Sequence, residues 1–133
     1  MEIKISTENG RVPVTVMHVD GNLDSATYQT FQSKADELIK GGAQYILIDL
    51  SHAPYVSSAG FRALHQIFNE LRSLASSSPS EEEMKKGIRA GTYKSPHLKL
   101  LNLSKETRTT FEMSGFDMFI ETYDDKKTAI ASF

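Results

Sequence analysis

Residues 45–71 read YILIDLSHAPYVSSAGFRALHQIFNEL. The stretch opens with four apolar residues in succession, Tyr45-Ile46-Leu47-Ile48, and runs through Asp49 to Leu50. An unbroken apolar run, rather than strict alternation, marks a strand covered on both faces. A short connection carrying Pro54 follows, and then Ser57, Ser58, Ala59 and Gly60. Beyond it Phe61, Leu64, Phe68, Leu71 and Ala75 recur at i, i+3, i+7, i+10 and i+14, the stripe of a helix packed on one side. Strand, polar elbow and helix together set a pair of small hydroxyls at a helix start, beside the rim of a sheet.

Two strands are expected upstream. Residues 2–7 carry Ile3 and Ile5 on one face, and Asn9-Gly10 is a hairpin signal. Val12, Val14 and Val16 alternate in the next strand, whose Pro13 belongs at an edge or outside the ladder. A polar corner, Asp20-Gly21-Asn22-Leu23-Asp24, leads into a helix through Tyr28, Phe31, Ala35 and Leu38, with Asp24 or Ser25 as its cap and Gly41-Gly42 as its stop.

Downstream, residues 76–96 are polar, with two prolines, two glycines and an acidic run followed by a basic one. The expectation there is a flexible insertion or long loop, with a short helical turn over residues 81–86 capped by Ser80. A fourth strand is expected over residues 97–103. A short helix over residues 105–113 follows Ser104 as its cap, then a fifth strand over residues 118–123, then a last helix capped by Asp124 or Asp125. Alternating strands and helices predict an α/β fold with parallel pairing.

The chain has 133 residues, enough for one domain with one core, and its make-up of 39% hydrophobic and 24% charged residues is that of a globular protein. A net charge of -2 supplies no general attraction to nucleic acid and no polybasic membrane signal. With no cysteine, disulfides, thiolate metal sites and cysteine catalysis are excluded. No transmembrane run or secretory signal is visible, and the expected location is the cytoplasm.

Three chemistries can be set against Ser57 and Ser58. The plainest is a helix cap, a serine accepting a backbone N–H at a contribution of about 1 kcal/mol. The second is a phosphorylation switch on Ser58. Unpaired amides and the dipole at a helix start tolerate an anion, and a phosphate brings about -1.5 to -2 charges there. Acids nearby, Asp24 and Asp20, would repel it and alter docking of a partner. The third is a hydrolase nucleophile. A nucleophile elbow reads G-x-S-x-G; Gly60 supplies the second glycine, but Val56 stands in place of the first and no base is evident. His65 lies two turns further along the helix, and His18 and His52 are separate in sequence. The histidines lack metal-ligand spacing, and Asp20, Asp24 and Asp49 would meet only if the second and third strands are neighbours. No metal and no cofactor is expected.

Three segments carry a family resemblance: VDGNLDSATYQTF, ILIDLSHAPYVSSAGFRALHQIF and FEMSGFDMFIETYDDKKTAIASF. They resemble the STAS domain of bacterial anti-sigma-factor antagonists over nearly the whole chain apart from residues 76–96. The resemblance implies a single STAS-like domain over residues 1–133, with a mixed, mostly parallel five-stranded sheet backed by helices. It implies a non-enzymatic partner switch. The unphosphorylated domain would bind an anti-sigma factor that is also a GHKL-type serine kinase, releasing a sigma factor. Phosphorylation would break that contact and a PP2C-type phosphatase would restore it, with no direct contact to nucleic acid or membrane. The phosphoacceptor falls on Ser58, with Ser57 as second choice, because Ser57 stands where the family often has an acid. The partner surface would comprise Asp20, Asn22, Asp24, Tyr55, Ser57, Gly60 and Arg62, extending along the helix to Gln66 and Asn69. The alternative is a constitutive interaction, scaffold or ligand-sensing module of the same fold without phosphorylation.

Overall fold

The computed structural model describes residues 1–74, 80–91 and 93–133. Ala75, which closes the expected helical stripe, lies outside the described residues, as do residues 76–79 and Thr92 of the insertion. The strands are β1 (Glu2–Asn9), β2 (Pro13–Asp20), β3 (Ile46–His52), β4 (Leu98–Leu101) and β5 (Glu121–Tyr123). The helices are α1 (Tyr28–Lys40), α2 (Ser58–Leu74), α3 (Glu81–Ala90), α4 (Lys105–Ser114) and α5 (Lys126–Ala131). The sheet order is β1-β2-β3-β4-β5, antiparallel between β1 and β2 and parallel thereafter. The expected mixed, mostly parallel five-stranded sheet is therefore present.

This order explains where the core sits. Successive parallel strands that are also neighbours need crossovers of one hand, so their helices fall on one face. Phe31 of α1, Leu64 and Phe68 of α2 and Phe111 of α4 accordingly share one apolar cluster with Met17, Ile46, Ile48 and Leu98. The opposite face holds a smaller cluster of Val14, Val16, Leu47, Leu101 and Ala129 of α5. Central β3 is thus covered on both sides, as its unbroken apolar run implies. Leu98 and Leu100 join the first cluster and Leu101 the second. Leu103 returns to the first because Asn102 takes a left-handed φ of 58° that resets the alternation; asparagine adopts that region more readily than most residues.

Three expectations need correction. Neither Asp24 nor Ser25 caps α1: the helix starts at Tyr28 after Thr27, and Asp24 organises the preceding turn. The fifth strand begins at Glu121 rather than 118, since Phe116–Met118 form a 3-10 turn. Within residues 76–96, the described part holds a ten-residue helix, α3, rather than a loop with a short helical turn; Ser80 caps it by accepting from the Glu83 N–H, and Gly91 closes it at φ 73°. Met84 is buried, and Ile88 and Tyr93 pack against the main core. The polar sequence is the outside of a helix whose few apolar residues are spent on one contact; Glu81 and Lys85 pair at 3.9 Å on its surface. Ser104 caps α4, and Asp125 rather than Asp124 caps α5.

Candidate functional site

The candidate site forms where the chain leaves β2 and β3 side by side. After Asp20 the corner turns through Gly21, whose φ of 115° favours glycine. Corner and loop then continue the parallel pairing of their strands. Gly21 N–H donates to the His52 carbonyl (2.9 Å), Leu23 N–H to Tyr55 (3.0 Å) and Ser57 N–H back to Leu23 (2.9 Å). Leu23 and Val56 bridge at the centre of this seam and are both buried. Asp24 accepts the Ala26 N–H at 2.9 Å, while the Thr27 hydroxyl donates to the Asn22 carbonyl at 2.7 Å. On the other side of the loop, Ser104 Oγ donates to the Pro54 carbonyl at 2.9 Å. A stretch without regular secondary structure is thereby held from three directions.

The two serines differ. Ser57 precedes α2 and is half-buried; its carbonyl accepts the Phe61 N–H at 3.0 Å and its Oγ lies 3.5 Å from the Gly60 N–H, a weak cap. Ser58 is the first helical residue and is exposed. Gly60 is buried. A Cβ on it would stand 2.7 Å from the Leu23 carbonyl oxygen and 2.8 Å from Val56, so only glycine lets the first turn of α2 press against the corner. Gly60, expected on the partner surface, is thus buried beneath the corner. Asp20, Asn22, Tyr55 and Arg62 are exposed, and Asp24 is half-buried. Among the described residues of the loop, Tyr55 is the one large apolar side chain left open, at 49%.

Sequence reasoning missed one feature. Between α1 and α2, next to Ser58, runs a groove of about 370 Å³ lined by Tyr28, Gln32, Ala59, Arg62, Ala63 and Gln66. The signal was present: Ala59 and Ala63 lie four apart, so small residues face α1 along one line of α2. Gln66 is exposed at its far end, whereas Asn69 is half-buried.

His52 belongs to the seam and is exposed there, whereas His18, Asp49 and His65 have partners of their own. His18 lies between Ser6 Oγ (3.0 Å, at Nε2) and Asp49 (2.9 Å, at Nδ1) on the face of the sheet away from α1, α2 and α4. Burial pushes the Asp49 carboxyl up, but hydrogen bonds from the Ser51 hydroxyl, the Ser51 N–H and His18 outweigh it and hold the group below the ordinary carboxylate range. His65 stacks on Phe68 and Phe116, and burial pushes its pKa down. Asp20 and Asp49 line one cleft with His18 and His52, which Asp24 does not join, and among the described residues no group of three acidic or histidine side chains could hold a metal ion. Nor, among the described residues, is any helix long and apolar enough to cross a membrane.

The corner thus presents an exposed serine and polar side chains from a braced seam of a small α/β domain. The STAS domain family matches residues 5–78, more than half of the chain, and the chain belongs to that family. Its fold is similar to that of a putative anti-sigma factor antagonist from Thermotoga maritima, at a TM-score of 0.73 and 14% identity over 96% of this chain and 91% of that one. An anti-sigma factor antagonist from Mycobacterium paratuberculosis gives a TM-score of 0.70 and 17% identity over 98% and 93%. The Bacillus cell fate determinant SpoIIAA in its phosphorylated form gives 0.64 and 17% over 97% and 96%. No curated protein matches the chain in sequence.

Proposed function

We propose that this chain is a phosphorylation-controlled anti-sigma factor antagonist, with Ser58 as the phosphoacceptor. The observation that carries the reading is the exposed hydroxyl of Ser58 on the first residue of α2, directly beside the seam of the Asp20–Asp24 corner and the groove bearing Arg62. A kinase can reach that oxygen without unfolding anything. A phosphate there meets the free amides of a helix start, so the fold tolerates it, yet it adds about two negative charges to the surface. Asp20 and Asp24 are on the same corner, so a partner that accepts their charge has to accept the phosphate as well. The charge change acts at the contact itself and needs no rearrangement of the core.

In this reading the unphosphorylated domain binds an anti-sigma factor of the GHKL serine-kinase type, which supplies the ATP and magnesium, and a PP2C-type phosphatase reverses the modification. The domain is a regulator, not an enzyme, and acts in the cytoplasm. The structural neighbours named as anti-sigma factor antagonists support the family of partner, and the phosphorylated form of SpoIIAA is a precedent for a phosphorylated protein of this fold. The test is phosphorylation by the cognate kinase with ATP, followed by peptide mapping. Ser58→Ala is expected to take up no phosphate and still bind; Ser58→Asp is expected to bind more weakly. Full phosphorylation of Ser58→Ala would move the site, with Ser57 next in line. Tight binding whatever stands at position 58 would identify a constitutive interaction module instead.

A further inference from the structure

We propose that two copies of this chain associate through their β1 strands, joining the two sheets into one. The edges of the sheet are unequal. β5 is three residues long, whereas β1 spans eight and, among the described residues, has a neighbouring strand only on its β2 side. An edge strand of that length presents a row of unpaired amide and carbonyl groups that a second strand can take up. The α1 face of the edge is also incompletely covered. Ile3 and Ile5 are half-buried and Met1 is 37% exposed, and two clefts of about 560 and 390 Å³ separate them from the Ser33, Lys34 and Glu37 side of α1.

The charge pattern of β1 selects a second copy as the occupant and fixes its register. A two-fold axis normal to the sheet must pass through a residue, because directly opposed side chains point to the same face. An axis at Ile3 opposes Glu2 to Lys4 but pairs only residues 1–5, an axis at Lys4 sets lysine against lysine, an axis at Ile5 sets Glu2 against Glu8, and an axis at Thr7 makes no charge pair. An axis at Ser6 opposes each Lys4 to Glu8 of the other copy, Ile5 to Thr7, and Ile3 to Asn9. It uses the strand from residue 3 to residue 9, and it places both opposite-charge pairs on the face that carries α5. Glu8 is already drawn to that face by Lys126 at 3.3 Å, and Lys4 is exposed on it. The half-exposed isoleucines come under the partner strand. Because the strands run antiparallel, the two Ser58 corners point to opposite ends of the joined sheet and both stay open.

Sedimentation of the full chain over a concentration series tests this. The expected species at high concentration has twice the 14.8 kDa mass of the chain. Lys4→Glu alone and Glu8→Lys alone are each expected to weaken the dimer by about tenfold or more, because both cross-strand pairs turn from attraction to repulsion. An equimolar mixture of the two variants is expected to restore it. The acid introduced at position 4 of one chain then meets the base introduced at position 8 of the other, and the unchanged Lys4 meets the unchanged Glu8. The mixture also separates the proposal from misfolding, because an unfolded variant could not be rescued by its complement. A monomer at every concentration overturns the proposal. So does a dimer that neither charge reversal weakens, or one weakened by both and not restored by mixing.

Discussion

The two halves of α2 are made of opposite kinds of residue. Its N-terminal turns set Ser58, Ala59, Gly60 and Ala63 toward the corner and α1, small side chains that let backbone approach backbone and leave a groove open, with Phe61 on the other side packed on Phe111 and Phe116. Its later turns carry His65, Phe68 and Leu71, and Phe68 meets Phe119 at 4.9 Å and Tyr93 at 6.3 Å between ring centroids. A large ring buries apolar area and anchors the helix; a small residue buries little but fixes how closely its neighbours lie. The later half chiefly anchors the helix, and the small residues of the first turns set how closely it lies to the corner and α1. The position of the first turn does not depend on the exposed Ser58 side chain.

Substitutions can break this division. The largest effect belongs to the anchoring half. Phe68→Ala is expected to cost about 3–5 kcal/mol in chemical denaturation, while the folded fraction still binds partner normally. Loss of binding beyond the unfolded fraction would show that the two halves are not separable. Next comes Gly60→Ala. A methyl 2.7 Å from the Leu23 carbonyl has to displace the corner, at about 1–3 kcal/mol, and here partner binding should fall together with stability. Unchanged binding would remove the seam from the site. Ser57→Ala should cost well under the ~1 kcal/mol of a good cap, because its 3.5 Å contact is at the limit of a hydrogen bond. A cost above that would mean Ser57, not Gly60, positions the turn.

The smallest effect is on pH dependence and sits in the anchoring half. His65 is exposed at one side of its ring, but its stacking on Phe68 and Phe116 removes enough water to hold its pKa below the ordinary 6.5, so the unfolded chain takes up this proton first. His65 therefore contributes stability above pH 6.5 that is lost as pH falls through its folded value. Thermal melts of His65→Phe should show a shallower loss of stability on acidification than the parent chain. An identical pH profile would place the ring in solvent.

The division was only half visible in the sequence. The large residues announced themselves: Phe61, Leu64 and Phe68 recur at helical spacing, and the run from Tyr45 to Ile48 identified the doubly covered strand. Small residues carry no such periodic signal. Gly60 looked like part of a surface motif, but its role depends on where the Leu23 carbonyl, far earlier in the chain, comes to lie. The groove likewise depends on α1 docking beside Ala59 and Ala63. Asp24 looked like a cap because caps are read from local order, but the Thr27 hydroxyl, which accepts the Asp24 N–H and donates to the Asn22 carbonyl, closes a turn instead. The α3 region failed for a related reason. A ten-residue helix with one buried anchor, Met84, is too polar for composition to distinguish from a loop.

The central claim is that Ser58 is the switch and the fold beneath it is a fixed support. The most direct measurement is the affinity of the cognate anti-sigma factor kinase for the unphosphorylated chain, for the chain phosphorylated to completion, and for Ser58→Ala after the same kinase treatment. The account predicts tight binding by the first and third, and at least about tenfold weaker binding by the second, with the phosphate mapped to Ser58. Equal affinity in the first two, or a kinase-treated Ser58→Ala that loses binding as the parent does, would contradict it.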